Sequence, residues 1–556
     1  MKKHLRLYTM ILTVAASVTA CHKISVTPNS MITADQFPQT DEQYQSVIGT
    51  IYTNLRGHYP LTFWFTQELT SDEAILPAYG GNWYDGSGYI DLHRHTWTKD
   101  HGWIGTAWSD VYSIIGLCNQ TIYTFRTAPE GDTKNAAMAE IKTLRAWAYW
   151  ELLDMFGNVP LDTIYPSPGV QAKADRAQVF NFVESELKAA LPLLKTATGS
   201  ATYGKVTRWM AQGLLAKLYL NAPVYAGTTK YNECIAACDD IIASGKFAIE
   251  ARGTYLTMFY PNNGPSFKEN IFAIPFDPTT SNGYLFHGRY DLNRNLGIKY
   301  RYSGATPGSH TLSSIIMNQT SGSGLVNTKP SGPRATLSGF YNAYFTDAND
   351  IRKDQWLVGT QYWPDGNPIK VATTKKGYDQ FYTGSDGSTS YIYDLYIDSV
   401  IRLRQSVASM DLGNDEIAWN MGIRNVKFFP DANSASRNQN NDAPLLRYSD
   451  VLLMKAEAIL RGGNATNGQT ALSLVNMVRN NRTTSPAWTA VTLDDLYAER
   501  GREFTWECWR RNDMIRFGKY ESTYGFKTNS DSYRRIFPIP TRALATNNKL
   551  TQNPGY

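Results

Sequence analysis

The feature that most constrains the fold is a pair of helix–turn–helix units placed far apart in the chain. Apolar residues recur at steps of three and four over 205–221 and 230–245, and again over 449–461 and 469–480, as in amphipathic helices. Each pair is close to the ~34-residue tetratricopeptide length. Small residues mark the expected helix contacts: Ala211, Gly213, Ala216, Ala456 and Ala458. The pattern predicts a mainly α, tetratricopeptide-like scaffold whose two helical blocks meet around inserted material.

Local signals predict further helices and their ends. Apolar steps predict a helix over 141–155, which a following glycine and proline would end. Ser449 is predicted to cap one helix, and Thr492 with Asp495 forms a capping-box pattern before a helix that runs to about Arg510. We expect the aromatic residues that fall in helical patterns to lie in the core: Trp108, Tyr112, Trp147 and Trp150.

The stretch from about 250 to 445 differs from both helical blocks. Glycine, serine, asparagine, aspartate and proline are frequent there, and alternating stretches such as 391–397 predict a few short strands. Long loops held on a scaffold often carry function. We therefore divide the chain into an N-terminal helical region, 41–245, and a C-terminal region, 246–556, which contains this loop-rich insertion.

The N-terminus has the pattern of an export signal. A basic start, an apolar run and small residues before Cys21 make residues 1–20 a cleavable leader. The apolar run is shorter than the ~20 residues that a transmembrane helix needs. A cysteine at the cleavage point indicates a bacterial lipoprotein with lipid on Cys21, and plain secretion is the alternative. The polar, proline-containing segment 21–40 would then form a tether.

Charge and aromatic content narrow the function classes. The 556 residues include 54 Lys and Arg against 49 Asp and Glu, and loss of Lys2, Lys3 and Arg6 with the leader leaves a balance of +2. A nearly neutral chain lacks the basic footprint of a nucleic-acid binder. Aromatic residues make up 13% of the chain, which is enough to fill a core and still supply a binding face.

Three glutamates raise the possibility of an enzyme and also argue against it. Glu499, Glu503 and Glu507 recur every four residues, so they share one helix face. A glycosidase needs two carboxylates that face each other across a cleft. Nearby arginines would also keep these carboxyl groups ionised. We therefore expect a structural ion-pair network and no catalytic site.

Metal and cofactor signals are weak. His93 and His95 would face one way on a strand, and His101 is near, but a third ligand is not evident. Asp-Gly-Ser runs at 85–88 and 386–388 lack the closing glutamate of the twelve-residue calcium loop. We expect ordinary surface histidines and no cofactor, with bound calcium left open.

Two aromatic stretches are candidates for a binding face. Flat rings beside amides, carboxylates or arginine suit ligands that have both apolar faces and hydroxyl groups, as sugars do. Trp83 and Tyr84 lie in a glycine-rich loop without apolar periodicity, and packing within the loop or contact with a partner protein are the alternatives. The first stretch supplies Asn82, Trp83, Tyr84, Asp85, Arg94 and Trp97, and the second supplies Tyr284, Phe286, Tyr290, Trp356 and Trp363.

Several motifs, in order along most of the mature chain, resemble the SusD/RagB family of Bacteroidetes outer-membrane lipoproteins. The clearest is the tail, with Ile-Phe-Pro-Ile-Pro at 536–540 and Leu-Thr-Gln-Asn-Pro-Gly-Tyr at 550–556. Upstream are Leu-Arg-Tyr-Ser-Asp at 446–450 and Asp-Met-Ile-Arg-Phe-Gly at 513–518. Near the N-terminus, Phe-Gly-Asn-Val-Pro-Leu at 156–161 also fits. Single motifs are weak, whereas the ordered set is specific.

The resemblance implies a helical scaffold with a looped face and a non-catalytic, surface-exposed nutrient binder, commonly for glycans. It also implies a partner, a SusC-like TonB-dependent transporter, and a lipid anchor in the outer membrane facing the exterior. Two alternatives stay open within the same fold. One is a receptor for peptides, and the other is a structural lid on the transporter without its own ligand site.

Overall fold

The computed structural model describes residues 37–277, 290–291, 300–302, 315–317, 332–361, 370–373, 382–385, 391–429 and 438–556. Helices dominate these residues, and the strands are short. The helices are α1 (Asp41–His58), α2 (Trp64–Glu68), α3 (Gly88–Arg94), α4 (Gly102–Phe125), α5 (Asp132–Phe156), α6 (Arg176–Ala190), α7 (Arg208–Leu220), α8 (Ala222–Tyr225), α9 (Tyr231–Ala243), α10 (Ser338–Tyr344), α11 (Glu416–Trp419), α12 (Tyr448–Leu460), α13 (Ala471–Arg479), α14 (Leu493–Glu503), α15 (Arg510–Arg516) and α16 (Thr541–Thr546).

The helices pack as a continuous series. α4 packs on α5, α5 on α6, α6 on α7 and α7 on α9. α9 then packs on α12, and α12 packs on α13, although residues 244–447 separate α9 from α12 in the chain. The second predicted helix pair thus stacks directly on the first, which confirms the mainly helical, tetratricopeptide-like prediction.

A close approach explains one of the small residues in the predicted contacts. A Cβ atom at Gly213 in α7 would lie 2.2 Å from the side chain of Leu446, so a larger residue there would force Leu446 to move. Leu446 belongs to the strand that leads directly into α12. That strand also explains why the predicted cap at Ser449 is wrong: α12 begins at Tyr448, and Arg447 occupies the N-cap position.

Helix α14 begins as predicted but ends earlier than predicted. Thr492 and Asp495 form the predicted capping box of α14. This helix ends at Glu503 and does not continue to Arg510, where α15 starts as a separate helix. The chain between α14 and α15 turns through non-glycine residues with positive φ: Trp506 (61°) and Cys508 (68°).

The strands form small antiparallel sheets of two or three members. The pair of β3 (Asn270–Ile274) and β13 (Ala443–Arg447) places Ile274 opposite Ala443 and Asn270 opposite Arg447. It therefore brings together the two ends of the loop-rich insertion. The strands are β1 (Val159–Pro160), β2 (Lys173–Ala174), β3 (Asn270–Ile274), β4 (Tyr300–Tyr302), β5 (Ile315–Met317), β6 (Trp356–Leu357), β7 (Gly359–Thr360), β8 (Lys370–Thr373), β9 (Tyr382–Ser385), β10 (Tyr391–Asp394), β11 (Tyr396–Ile397), β12 (Arg424–Asn425) and β13 (Ala443–Arg447).

A buried ion network, which we call the charge junction, joins α14 to the insertion. Glu499 pairs with Arg352 at 2.7 Å, and Glu503 pairs with Arg352, Arg447 and Arg482 at 2.8–3.0 Å. Burial alone would raise the pKa of Glu499, yet the guanidinium groups around it lower that pKa to about 2. Both carboxylates are fully buried, which confirms the predicted structural network and places it in the interior.

The core contains the tryptophans that follow helical patterns. Trp108, Trp147 and Trp150 are buried, as predicted, whereas Tyr112 is half-buried and its hydroxyl donates to the Pro160 carbonyl at 3.0 Å. Within the described residues, none of the helices combines the length and the apolar character needed to cross a bilayer.

Candidate functional site

A glycine-rich loop, residues 80–88, carries the first candidate ring. The N–H groups of Gly80 and Gly81 donate to the two carboxylate oxygens of Asp411 at 2.7 and 2.8 Å. Both glycines have positive φ, and so does Trp83 at 64°, a conformation that is uncommon for a bulky residue. Asp411 therefore clamps the loop in a strained backbone form and fixes the position of Trp83.

Trp83 begins a row of aromatic side chains that we call the ring platform. Its ring centroid lies 5.0 Å from that of Tyr290, and Tyr290 lies 6.3 Å from Phe65. Phe65 contacts Trp103 at 4.6 Å, and Tyr89 stacks on Trp103 at 6.1 Å. Trp83, Tyr290 and Trp103 are half-buried, whereas Phe65 and Tyr89 are buried. Partly exposed rings held by buried rings are suited to a ligand with flat apolar faces.

Arg334 supports the ring platform from the protein interior. This side chain is fully buried, and its guanidinium carbon lies 3.4 Å from the centre of the Trp64 ring and 4.9 Å from that of Tyr290. Its backbone N–H donates to the Tyr290 carbonyl at 3.0 Å, and its guanidinium pairs with Asp291 at 3.6 Å. These contacts attach Tyr290 to the scaffold.

A cleft of about 470 Å³ adjoins the ring platform at Trp103, and we call it the acid-lined cleft. Its charged lining residues are Asp85, Asp91 and Asp100. His101 also lines it, donates from Nε2 to the Gly88 carbonyl at 2.8 Å and accepts the Ile104 N–H at Nδ1. Burial lowers the pKa of His101, so this imidazole is neutral near pH 7. The cleft thus offers carboxylate acceptors next to an aromatic ring.

Three other predicted residues of the loop are exposed. Tyr84 is 40% exposed, and Asn82 is exposed while its amide donates to the Tyr79 carbonyl at 3.0 Å. Asp85 is exposed as well, and its carboxylate accepts a hydrogen bond from the Tyr89 hydroxyl. Asn82, Trp83, Tyr84 and Asp85 therefore lie together around the platform and cleft.

Two models of known protein families match different parts of the chain. Residues 268–556 match the family model described as "SusD family", and residues 27–220 match one described as "Starch-binding associating with outer membrane". The first match alone covers more than half of the chain. The chain belongs to the SusD family.

Curated relatives of this SusD-family chain extend over nearly its full length. The starch-binding protein SusD of Bacteroides thetaiotaomicron is 24% identical over 517 residues, which cover 90% of the chain and 86% of that protein. SusD-like protein P38 of Formosa agariphila is 22% identical over 100% of the chain and 99% of its own length.

Solved structures show the same fold. The surface glycan-binding protein A of Bacteroides thetaiotaomicron, in complex with laminarihexaose, superposes with a TM-score of 0.63 at 20% identity, covering 93% of this chain and 100% of its own. A SusD superfamily protein of Parabacteroides distasonis gives a TM-score of 0.67 at 18% identity, with the same coverage of both chains.

Three predicted contact residues of this SusD-family chain have structural roles. Trp97 and Trp356 are each 1% exposed, so the prediction that their rings stack on a ligand is wrong. The Trp97 indole donates to the Tyr556 hydroxyl at 2.8 Å, and the Trp356 ring packs on that of Phe345 at 5.0 Å. Half-buried Arg94 donates from its two terminal nitrogens to the Val407 and Ala408 carbonyls, and its role in ligand binding stays a prediction.

The remaining predicted rings of the middle stretch are not placed. Tyr284, Phe286 and Trp363 lie outside the described residues, as does the second Asp-Gly-Ser run at 386–388. Of the rings predicted there, Tyr290 is the one that the structure brings to Trp83.

The histidines are buried and do not form the predicted surface group. His93 lies in helix α3 and not on a strand, and both His93 and His95 are at most 1% exposed. Burial lowers the pKa of His93 to about 4 and that of His95 well below its usual value. Among the described residues, no group of three or more potential metal ligands comes together.

Sequence reasoning missed most of the support of the platform. Trp103 follows Gly102 at the start of α4. This glycine is the one local sequence feature that sets the Trp103 ring apart from the tryptophans of the core. Asp411 and Arg334 act through pairings across long stretches of chain, and no short-range pattern indicates them. The residues added by the structure are Phe65, Tyr89, Trp103, Arg334 and Asp411.

Proposed function

We propose that this SusD-family chain is a non-catalytic protein of the cell surface that binds an oligosaccharide or polysaccharide. The observation that carries the proposal is the half-buried pair Trp83 and Tyr290, whose rings lie 5.0 Å apart. A sugar ring has an apolar C–H face, and stacking on a fixed aromatic ring buries that face at low cost in conformational entropy.

The polar groups beside these rings suit sugar hydroxyls. Asp85 and Asp91 line the cleft next to Trp103, and carboxylates are strong acceptors for O–H donors. The Asn82 amide adds a group that both donates and accepts. Polar groups of this kind fix the orientation of a ligand, while the rings provide most of the contact area.

The relatives support the same ligand class. One is named a starch-binding protein, and one matching structure is a surface glycan-binding protein with laminarihexaose bound. The matched model of residues 27–220 describes starch binding in association with the outer membrane. We extend glycan binding at the surface to this chain and leave the sugar and the linkage open.

Binding without catalysis is supported by the state of the clustered glutamates. Glu499 and Glu503 are fully buried, and arginines pair with both carboxylates. They have no access to a substrate and cannot flank a glycosidic bond. The proposed binding energy therefore comes from stacking and hydrogen bonds, and no cofactor is required.

We further propose that the protein is anchored by lipid on Cys21, faces the exterior and delivers its glycan to a SusC-like TonB-dependent transporter. The leader pattern of residues 1–20 supports the anchor, and family membership supports the partner. Replacement of Cys21 by alanine should release the protein from the outer membrane. Co-purification with the transporter tests the partnership.

The direct test is calorimetry of the purified full chain against two panels. One panel holds neutral and acidic oligosaccharides, including laminarihexaose, and the other holds peptides. We expect binding of at least one glycan and no product after prolonged incubation. Binding only of peptides would favour the peptide receptor. Co-purification with the transporter without any ligand signal would favour the structural lid.

A further inference from the structure

A long open groove leads away from the ring platform and has no role in the function proposed so far. It begins at the acid-lined cleft, which shares Gly102 and Thr106 with a second space of about 750 Å³. That space shares Trp108 and Tyr112 with a third of about 420 Å³. The three spaces therefore adjoin one another in series, and we call this series the α4 groove.

The two walls of the α4 groove come from opposite ends of the chain. One wall is α4, where the groove follows residues Gly102 to Ser113, a length of about 17 Å at 1.5 Å per residue. The other wall is the C-terminal segment from Pro540 through α16. A Cβ atom at Gly105 would lie 4.0 Å from the Pro540 side chain, so the walls approach closely there.

The lining of the groove has the same chemistry as the platform. Half-buried Tyr112 is backed by the buried ring of Trp108, with centroids 4.8 Å apart. Along the same helix, the α4 wall also presents the hydroxyl groups of Thr106, Ser109 and Ser113. The hydroxyls of Thr106 and Ser113 donate to carbonyls of their own helix, which leaves their oxygen lone pairs as acceptors.

Charge is sparse along the groove beyond the acid-lined cleft. In the space of about 750 Å³, Arg542 is the one charged lining residue among those described, and Asp162 lines the space beyond it. Rings and hydroxyls with few charges match a neutral, polyhydroxylated chain better than they match a charged peptide. The continuity with Trp103 indicates that the occupant also touches the ring platform.

We propose that the α4 groove binds the continuation of the glycan chain held on the ring platform, so that the ligand class is an extended, largely uncharged oligosaccharide. This proposal rests on the proposed glycan function. It adds that the site is a run of subsites along α4, and that short oligosaccharides fill the platform alone. Affinity then rises with chain length until the groove is full.

The test measures the affinity of oligosaccharides of increasing length, in the wild type and in a variant whose groove is blocked. The probes are disaccharide to octasaccharide ladders of β-1,3-glucan, α-1,4-glucan, β-1,4-xylan and β-1,4-mannan. Ser109→Trp places a large side chain at an exposed position in the middle of the groove. Thr124→Trp is the matched control, since Thr124 is exposed on the same helix and does not line the groove.

For the ladder that binds, we expect the wild-type affinity to rise from trisaccharide to octasaccharide. Ser109→Trp should lower octasaccharide affinity by about tenfold, to the trisaccharide value, while trisaccharide affinity and the thermal midpoint stay unchanged. Thr124→Trp should have no effect. Thr546→Trp blocks the groove from the opposite wall and should reproduce the loss if Ser109→Trp fails to fold.

Other outcomes would overturn the proposal. If trisaccharide and octasaccharide bind the wild type with equal affinity and Trp83→Ala weakens both, the glycan function is supported. The α4 groove then contributes no subsites. Loss of co-purification with the transporter in Ser109→Trp, with octasaccharide affinity unchanged, would assign the groove to a protein partner. Absence of binding by every ladder would contradict the glycan function itself.

Discussion

The charge junction and the acid-lined cleft are both clusters of carboxylates, and they differ in what surrounds the carboxylates. At the junction, Glu499 and Glu503 are fully buried and arginines pair with both of them. At the cleft, Asp85 is exposed and Asp91 is half-buried, with no arginine among the described lining residues. The charge junction and the cleft both contain carboxylates. Access to solvent and the presence of arginine partners therefore distinguish the structural cluster from the binding one.

The largest effect should come from breaking the junction. Glu503→Ala removes one carboxylate from three buried arginines, Arg352, Arg447 and Arg482, so the network has excess buried positive charge although each arginine keeps another carboxylate partner. We expect a loss of about 3–5 kcal/mol in the free energy of unfolding, measured by denaturant titration. Asp91→Asn in the cleft is the control and should change stability by less than ~1 kcal/mol. Equal losses in the two variants would remove the distinction between the regions.

The Asp411 clamp should connect stability of the loop with binding. Asp411→Ala removes the acceptor for the Gly80 and Gly81 N–H groups. We expect a loss of about 1.5–3 kcal/mol in unfolding free energy and weaker glycan binding, because the loop would no longer hold Trp83. Hydrogen exchange of loop amides would report the change directly. Unaltered exchange in the loop would show that Asp411 does not hold it.

A carboxyl pair near the platform should give a pH dependence opposite to that of the junction. Glu68 and Glu73 are buried side by side; burial raises the pKa of Glu68 to about 7 and that of Glu73 well above its usual value. Arg334 and Arg510 oppose these shifts only in part. A raised carboxyl pKa in the folded state means that this contribution to stability is present below pH 4.5 and is lost as pH rises through 7.

Glu73→Gln imitates the protonated form and keeps an acceptor for the Trp506 N–H. We expect the advantage of this variant over the wild type in the free energy of unfolding to grow from pH 5 to pH 8, by an amount on the order of 1 kcal/mol or more. Thermal unfolding at the two pH values measures it. A wild type whose stability does not fall between pH 5 and pH 8 would contradict the assigned protonation.

The smallest effect concerns Arg94, which the sequence places among the ligand contacts. Its guanidinium donates to the Val407 and Ala408 carbonyls at 2.6 and 2.8 Å. Arg94→Ala should therefore cost about 1 kcal/mol of stability and change glycan affinity by less than twofold. A tenfold loss of glycan affinity with unchanged stability would show instead that Arg94 contacts the ligand.

Local periodicity predicted the scaffold well, and tertiary contacts decided the rest. The pairs α7–α9 and α12–α13 begin and end within a few residues of their predicted limits, because apolar spacing sets helix faces. Single tryptophans carry no such information. Trp83 and Trp97 lie in one stretch of sequence, yet the Asp411 clamp holds Trp83 in an exposed loop, while Tyr556 and Phe537 enclose Trp97.

The central claim is that the half-buried ring of Trp83 binds a glycan. The most direct measurement compares glycan affinity and thermal midpoint of Trp83→Ala with those of Trp488→Ala, a half-buried tryptophan that packs on Arg479 away from the platform. We expect at least tenfold weaker binding, about 1.4 kcal/mol, and a nearly unchanged midpoint for Trp83→Ala, with wild-type affinity for Trp488→Ala. Wild-type affinity in Trp83→Ala would contradict the claim.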